Sequence, residues 1–363
     1  MKIRREYQGE TKSYAAHTPE SRPSTLDCSQ GINPYGPPKE ALSAIRNFDA
    51  ARAGSYPHSH AVQGAIIRYW RDCADLKPGN ILLVDGSISA LYLINALFAR
   101  PGAQVVGFMP TFTDMVVNVG LNGMEYVGIP PADAEYRLDA EALLARVTEE
   151  TSFVYIDNPN NPTGQLLPVG EVARIAEKAK ACDACVLMDE AYADFVEKGD
   201  SAISLLPKFD NLAVLRTFSK GFGLAGLRAG YLVASPELVG LLGKASNPYA
   251  MSELTREAAA AAMSAQGYPT AHKGQIAAVK GALRSATGNA LKLLVTDDRV
   301  PICALKHEDA VDLQALLMEQ DILTVSGAEF DCMDASCVRL RVPREEEAPR
   351  LIEAVRRVDL GIR

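Results

Sequence analysis

Long apolar runs are missing from this sequence. None approaches the roughly 20 residues that a membrane-spanning helix needs. The first segment, "MKIRREYQGETKSY", is charged where a secretion signal would be apolar. A basic excess is missing too. Lys and Arg number 37 against 45 Asp and Glu, and the net charge of −8 argues against a general nucleic-acid or anionic-membrane binder. Histidine is scarce, and positions 17, 58, 60, 272 and 307 form no metal-ligand pattern. The seven cysteines, an odd number, do not read as a disulfide framework; they fit a reducing cytoplasm. "CDAC" (Cys182 to Cys185) has the spacing of a redox or metal pair. Cys182, however, closes a helical pattern and Cys185 opens a buried strand, so packing is the better account. Repeats and low-complexity tracts do not occur.

What is present is an alternation. The 363 residues, 48% of them hydrophobic, are ample for a large domain with a smaller one beside it. Short apolar runs "ILLV", "QVVGF", "FVYI", "CVLMD", "LAVL" and "AGYLVA" are spaced by helical patterns such as "SALYLINALFA" and "VGEVARIAEKAKA". Strands buried on both faces and separated by helices predict an α/β fold with a mostly parallel central sheet. Near residue 250 the texture changes. An Ala-rich helical region runs to about 290, followed by "VPICALK", helix "DAVDLQALLMEQ", strand "CVRLRV" and a last helix. The expected organisation is an N-terminal segment (1–30) lying over the body, a large domain (31–250) and a smaller α+β domain (251–363).

In open parallel sheets, ligands bind beyond the carboxyl ends of the strands. Those positions carry the chemistry. "DGSIS" follows "ILLV" as a small-residue turn into a helix, whose N–H groups could cradle a phosphate. "MPTF" puts Phe112 in a loop, "DNPNNPTG" fixes Asn161, and "DEAY" supplies Asp189 and Tyr192. "RTFSKGFGLAGLRAG" surrounds Lys220 with glycine, serine and leucine, an unusual setting for a lysine.

The pieces "INPYGPP", "SYPHS", "DGSIS", "MPTF", "NPNNPTG", "DEAY" and "TFSKGFGLAGLRAGY", in this order over residues 32–231, resemble the fold-type I pyridoxal-phosphate (PLP) enzymes. Among them the class I/II aminotransferases, and their histidinol-phosphate aminotransferase branch, are the most similar. The resemblance implies that Lys220 bonds the cofactor aldehyde and later shuttles a proton. A lysine in that role must lose its own proton, which apolar surroundings and a nearby cation favour. It implies further that Asp189 holds the proton on the ring nitrogen. Asn161 and Tyr192 would serve the phenolate oxygen and Phe112 the ring face. Gly86, Ser87, Thr217, Ser219 and Arg228 would hold the phosphate. Tyr56 of "SYP" would complete the phosphate site of a neighbouring subunit, so the active unit would be a homodimer with shared sites. Arg339 would clamp a substrate carboxylate. Arg341, two residues on along a strand, would share its face and add a second cation, with Arg22 a further candidate.

The resemblance is imperfect. Ile88 replaces an acidic residue of the phosphate turn, which backbone N–H contacts tolerate, and Pro343 replaces a glycine after the arginine strand. "YQGETKSYAAH" and "LDCSQGINPYGPP" are closer to the threonine-phosphate decarboxylase branch, although Tyr7 stands in place of its histidine. The expectation is a cytoplasmic PLP-dependent aminotransferase acting on a small amino-acid-like molecule, with no metal, nucleic acid or membrane. Decarboxylation of an O-phospho amino acid, or an amino-acid cyclase or lyase, is the alternative. A PLP-binding module without catalysis would leave a complete set of catalytic groups idle.

Overall fold

A computed structural model describes residues 3–8, 22–100 and 102–362. The chain runs β1 (Leu26–Asp27), α1 (Lys39–Arg46), α2 (Ala61–Trp70), β2 (Ile81–Val84), α3 (Ser87–Phe98), β3 (Gln104–Phe108), α4 (Thr113–Leu121) and β4 (Glu125–Ile129). It continues through α5 (Ala140–Arg146), β5 (Thr151–Asp157), α6 (Val169–Ala181), β6 (Cys185–Asp189), β7 (Leu212–Thr217), β8 (Gly230–Val233), α7 (Pro236–Gly243) and α8 (Glu253–Ser264). The remainder is α9 (Lys273–Ala286), β9 (Leu291–Leu293), β10 (Ile302–His307), α10 (Leu313–Glu319), β11 (Ile322–Leu323), β12 (Val325–Ser326), β13 (Cys337–Arg341) and α11 (Ala348–Asp359).

Seven strands form the large sheet in the order β2-β8-β7-β6-β5-β3-β4. All its pairings are parallel except the two that β8 makes, with β7 and with β2. Alternating residues of each strand supply opposite faces. Val106, Val154, Val186 and Val214 join the core under α2, α6 and α8, whereas Val105, Phe153, Leu187 and Leu215 join the core under α3 and α4. Burial on both faces explains why these strands read as continuous apolar runs. The strand "EYVGI" (β4) escaped that reading because it lies at the sheet edge and only Ile129 is buried.

The second sheet, β12-β13-β10-β9, is antiparallel and packs with α9 and α11 around a core containing Ile302, Val338 and Leu351. The change of core does not fall at residue 250. Met251, Ala259 and Ala262 still pack with Trp70 and Ile66 under the large sheet. The Ala-rich region is two helices, because Gly267 and Pro269 lie in the break between α8 and α9. β1 pairs in parallel with β11 as a separate two-stranded sheet, Leu26 opposite Ile322, and the Arg341 amide donates to the Cys28 carbonyl at 2.8 Å, which ties the N-terminal segment to β13. The expected cover over the active site falls partly on residues 9–21, outside the described residues. Arg22 is exposed, 3.6 Å from Asp321.

The ends of β6 and β7 are locked together beneath the surface. Arg216 is buried, donates to Glu190 Oε2 at 2.7 Å and to Asp194, and its guanidinium lies 5.0 Å from the Trp70 ring centroid. Glu190 also accepts from the Ser201 hydroxyl and the Ala202 amide, both at 2.6 Å. Removing the cation strands two buried carboxylates, which typically costs about 3–5 kcal/mol. Arg216→Met is therefore expected to lower the unfolding free energy by about that amount in denaturant titration; a loss below about 1 kcal/mol would show that the network is not a clamp.

Candidate active site

Because β5, β6 and β7 are parallel and in register, Asp157 lies opposite Asp189 and Asp189 opposite Leu215. β5 and β6 end at one level, β7 runs two residues farther, and a cavity of about 300 Å³ opens beyond them. Nine of the residues anticipated from sequence line it: Ser87, Phe112, Asn161, Asp189, Tyr192, Thr217, Ser219, Lys220 and Arg228.

One end of the cavity is rich in donors. Gly86 is the N-cap of the twelve-residue α3 and has φ +101°, a conformation that favours glycine. A side chain there would also collide with the Arg228 guanidinium. The free N–H groups of the first helical turn, with its partial positive charge, therefore lie beside an arginine. The Arg228 Nη1 is 3.4 Å from Ser219 Oγ, and the Thr217 hydroxyl is 3.0 Å from Ser219 Oγ. A helix terminus, two hydroxyls and a guanidinium make an anion seat.

The floor is a carboxyl group in a dry place. Asp189 is 5% exposed, and its two hydrogen bonds come from neutral donors, the Tyr155 hydroxyl and the Ala191 amide, each at 3.1 Å. Burial pushes its pKa up to about 6, against the pull of these donors and of the Lys220 charge. Lys220 Nζ sits 5.5 Å from the Tyr192 ring centroid, which brings the lysine and the tyrosine to the same side of the cavity.

Sequence reasoning missed Asp157. Its Oδ1 accepts from the Thr111 hydroxyl and from Asn160 Nδ2, both at 2.9 Å, and its Oδ2 accepts the Asn161 amide at 2.8 Å. One carboxyl thus ties the turn that carries Asn161 to the loop that carries Phe112. The signal available in sequence was an acid at a strand end directly before the proline-rich turn, "DNPNNPTG". Tyr155 was equally silent, reading only as one apolar residue of "FVYI".

The arginines of β13 divide. Arg339 is 2% exposed and donates to Asn161 Oδ1 at 3.3 Å and to the Ser29 carbonyl, placing its guanidinium behind the cavity's Asn161 wall. Arg341 does not join it. Its guanidinium donates to the carbonyls of Asp27 and Val342, and it lines a separate depression with Asn33, Arg344 and Glu346. The N-terminal segment meets both arginines: its Ser29 carbonyl accepts from Arg339, and its Asp27 carbonyl draws Arg341 aside. Tyr56 is 70% exposed and lies outside this cavity, its ring 4.5 Å from that of Tyr249. Among the described residues, no group of three or more His, Cys, Asp or Glu could hold a metal, and no helix is long and apolar enough to cross a membrane. All seven cysteines are free thiols.

Burial pushes Asp157 up to about 8, with Asp189 adding to the rise. Both folded values exceed the ordinary carboxyl value of about 4, so each group's favourable contribution is complete below that pH. It is lost as pH rises through about 6 for Asp189 and about 8 for Asp157. The ligand-free protein should therefore lose stability on going from about pH 5 to 9, and Asp157→Asn should flatten that slope. Denaturant unfolding across this range measures it; parallel wild-type and variant slopes would show that Asp157 does not titrate there.

The family model described as "Aminotransferase class I and II" matches residues 24–355. The histidinol-phosphate aminotransferase 1 of Ralstonia nicotianae is 30% identical over 328 residues, covering 89% of this chain and 86% of that protein. The crystal structure of histidinol-phosphate aminotransferase from Sinorhizobium meliloti in complex with pyridoxal-5'-phosphate has a TM-score of 0.80 at 26% identity, covering 93% of this chain and 91% of that one. The histidinol-phosphate aminotransferase from Clostridium acetobutylicum shares the fold with a TM-score of 0.83 at 21% identity, covering 93% and 100%.

Proposed function

The chain belongs to the class I and II aminotransferase family and is a PLP-dependent enzyme, and from that premise we propose that it transfers an amino group between histidinol phosphate and a 2-oxo acid. The observation that carries the site assignment is that one cavity is lined by a buried carboxyl, an anion seat and a lysine. PLP fits this arrangement. Its pyridine nitrogen answers the desolvated Asp189, and its phosphate answers Gly86, Ser87, Thr217, Ser219 and Arg228. Bound there, the cofactor supplies an aldehyde that takes up amines and a cationic ring that withdraws electrons from the adjoining carbon.

The chain's own groups do the rest. Asp189 holds a proton at the ring nitrogen, and pairing with that cation relieves the burial that otherwise lifts its pKa. Lys220 Nζ would carry the exchangeable amine and, once freed, would accept and return the proton of the substrate carbon. Asn161 and the Tyr192 hydroxyl would hold the phenolate oxygen, and Phe112 would pack against the ring. Arg339 holds the anionic group of the substrate: the α-carboxylate of an amino acid, or the phosphate of histidinol phosphate, which has no α-carboxylate. It gives up the Ser29 carbonyl to do so. A planar guanidinium suits both anions.

Two protomers complete the unit on this reading. The exposed Tyr56 and Tyr249 pair supports a shared site, with Tyr56 reaching the phosphate held by the second protomer. The seven free thiols support a reducing compartment, the cytoplasm.

The experiment is incubation of the PLP-loaded enzyme with histidinol phosphate, O-phosphothreonine, glutamate and arginine while cofactor absorbance and carbon dioxide are followed. Histidinol phosphate and glutamate should convert the cofactor to its amine form without carbon dioxide; gas release from phosphothreonine would contradict the proposal. Arg339→Ala should weaken both productive substrates by about 100-fold in kcat/KM, the loss of a charge-assisted contact worth about 2–3 kcal/mol. Tyr56→Phe should lower PLP affinity in a protein that still sediments as a dimer, and unchanged affinity would remove Tyr56 from the site.

A further inference from the structure

The segment "INPYGPP" has no role in the site as described, yet it touches the reactive lysine's loop. Asn33 is 3% exposed. Its backbone N–H donates to the Lys220 carbonyl at 3.1 Å, and its side-chain Nδ2 donates to the Gly221 carbonyl at 2.8 Å. One residue thus satisfies two consecutive carbonyls of the loop "SKGFG". Its Oδ1 is occupied separately, accepting the Tyr35 amide at 2.9 Å and closing its own turn. Three residues after Asn33, Gly36 abuts Gly223, which has φ +65° and where a side chain would collide with the Gly36 carbonyl. The glycine at 223 therefore serves contact with this turn and not access to the cavity.

The turn is gripped from its other side as well. The Tyr35 ring stacks on His272 with centroids 3.5 Å apart, and its hydroxyl donates to Glu345 Oε2 at 2.6 Å. Arg344 Nε donates to the Pro34 carbonyl at 2.6 Å, and the Tyr268 hydroxyl donates to the Gly36 carbonyl at 2.9 Å. A turn fixed by α9 and by the residues after β13 can hold the lysine loop still, which a free loop could not.

We propose that Asn33 is a positioning residue for Lys220, fixing the backbone of residues 220 and 221 so that Nζ meets the cofactor aldehyde at the correct place. This rests on the reading of Lys220 as the cofactor-bonding lysine. The side chain's two ends separate this role from a purely local one. Asn33→Asp is isosteric and keeps the oxygen that caps the turn, but sets a carboxylate oxygen against the Gly221 carbonyl. Asn33→Ala removes both contacts.

The test has two readouts. In the cofactor-free protein, amide hydrogen exchange is measured across residues 218–224. With PLP added, the rate at which the absorbance of the lysine-bound cofactor develops is followed from about pH 6 to 9. Both variants should exchange faster in the loop and form the linkage about tenfold more slowly, the effect of one buried carbonyl left unsatisfied. Asn33→Asp, unlike Asn33→Ala, should approach the wild-type rate as pH falls and its new carboxyl, protonated, can donate again. If Asn33→Asp matches wild type in loop exchange and in linkage rate at every pH, Asn33 serves only its own turn and the proposal fails. Should Asn33→Ala not fold, Asn33→Asp carries the test alone. Failure of the lysine assignment looks different, since the wild-type protein would then develop no such absorbance.

Discussion

A carboxyl group buried at the end of β6, with neutral donors as its hydrogen-bond partners, is the constraint around which the site is arranged. Desolvation of Asp189 opposes its ionisation, and the large sheet enforces that desolvation. β6 is the strand between β5 and β7 and all five of its residues are buried. A flexible loop could let the group escape to water; a central strand cannot. The cost falls if a cation is supplied from the cavity side, which is what a protonated pyridine does. With Asp189 in its proposed role, stability without cofactor would be exchanged for affinity with it.

The layers below and beside Asp189 hold it to that position. Arg216, Glu190 and Asp194 lock β6 to β7 from underneath. Asp157 ties the turn after β5 to the loop after β3. The N-terminal segment lies alongside β13, its Ser29 and Asp27 carbonyls accepting from Arg339 and Arg341. On the proposed role of Arg339, a substrate anion would have to take the place of the Ser29 carbonyl, which would link substrate binding to the seating of the N-terminal segment. The smaller sheet is thus coupled to the cavity through this buried arginine and through a core in which Tyr192 and Phe195 pack with Ile302 and Val338.

Much of this was legible in the sequence. Buried strands announce themselves as apolar runs, and in a parallel sheet the residues just past those runs share one rim. Phe112, Asn161, Asp189, Thr217 and Lys220 are expected on that rim without knowledge of which strands are neighbours, and all five line one cavity. Partnerships across the fold were not legible. Asp157 reads as a turn residue until Thr111 is brought beside it, and Asn33 reads as part of a proline turn until the lysine loop packs on it. Arg341 shows the reverse error: strand periodicity put it with Arg339, but Asp27 lies alongside β13 and draws the guanidinium away. The placement of α8 failed for a related reason, since an Ala-rich amphipathic helix carries no mark of which sheet it covers.

The central claim is that Lys220 forms the covalent link to the cofactor. The most direct measurement is borohydride reduction of the PLP-loaded protein, followed by proteolysis and mass spectrometry of the peptides. One modified peptide is predicted, carrying the pyridoxyl mass on Lys220. Modification centred on another lysine, or absent from a protein that has bound the cofactor, would contradict the account.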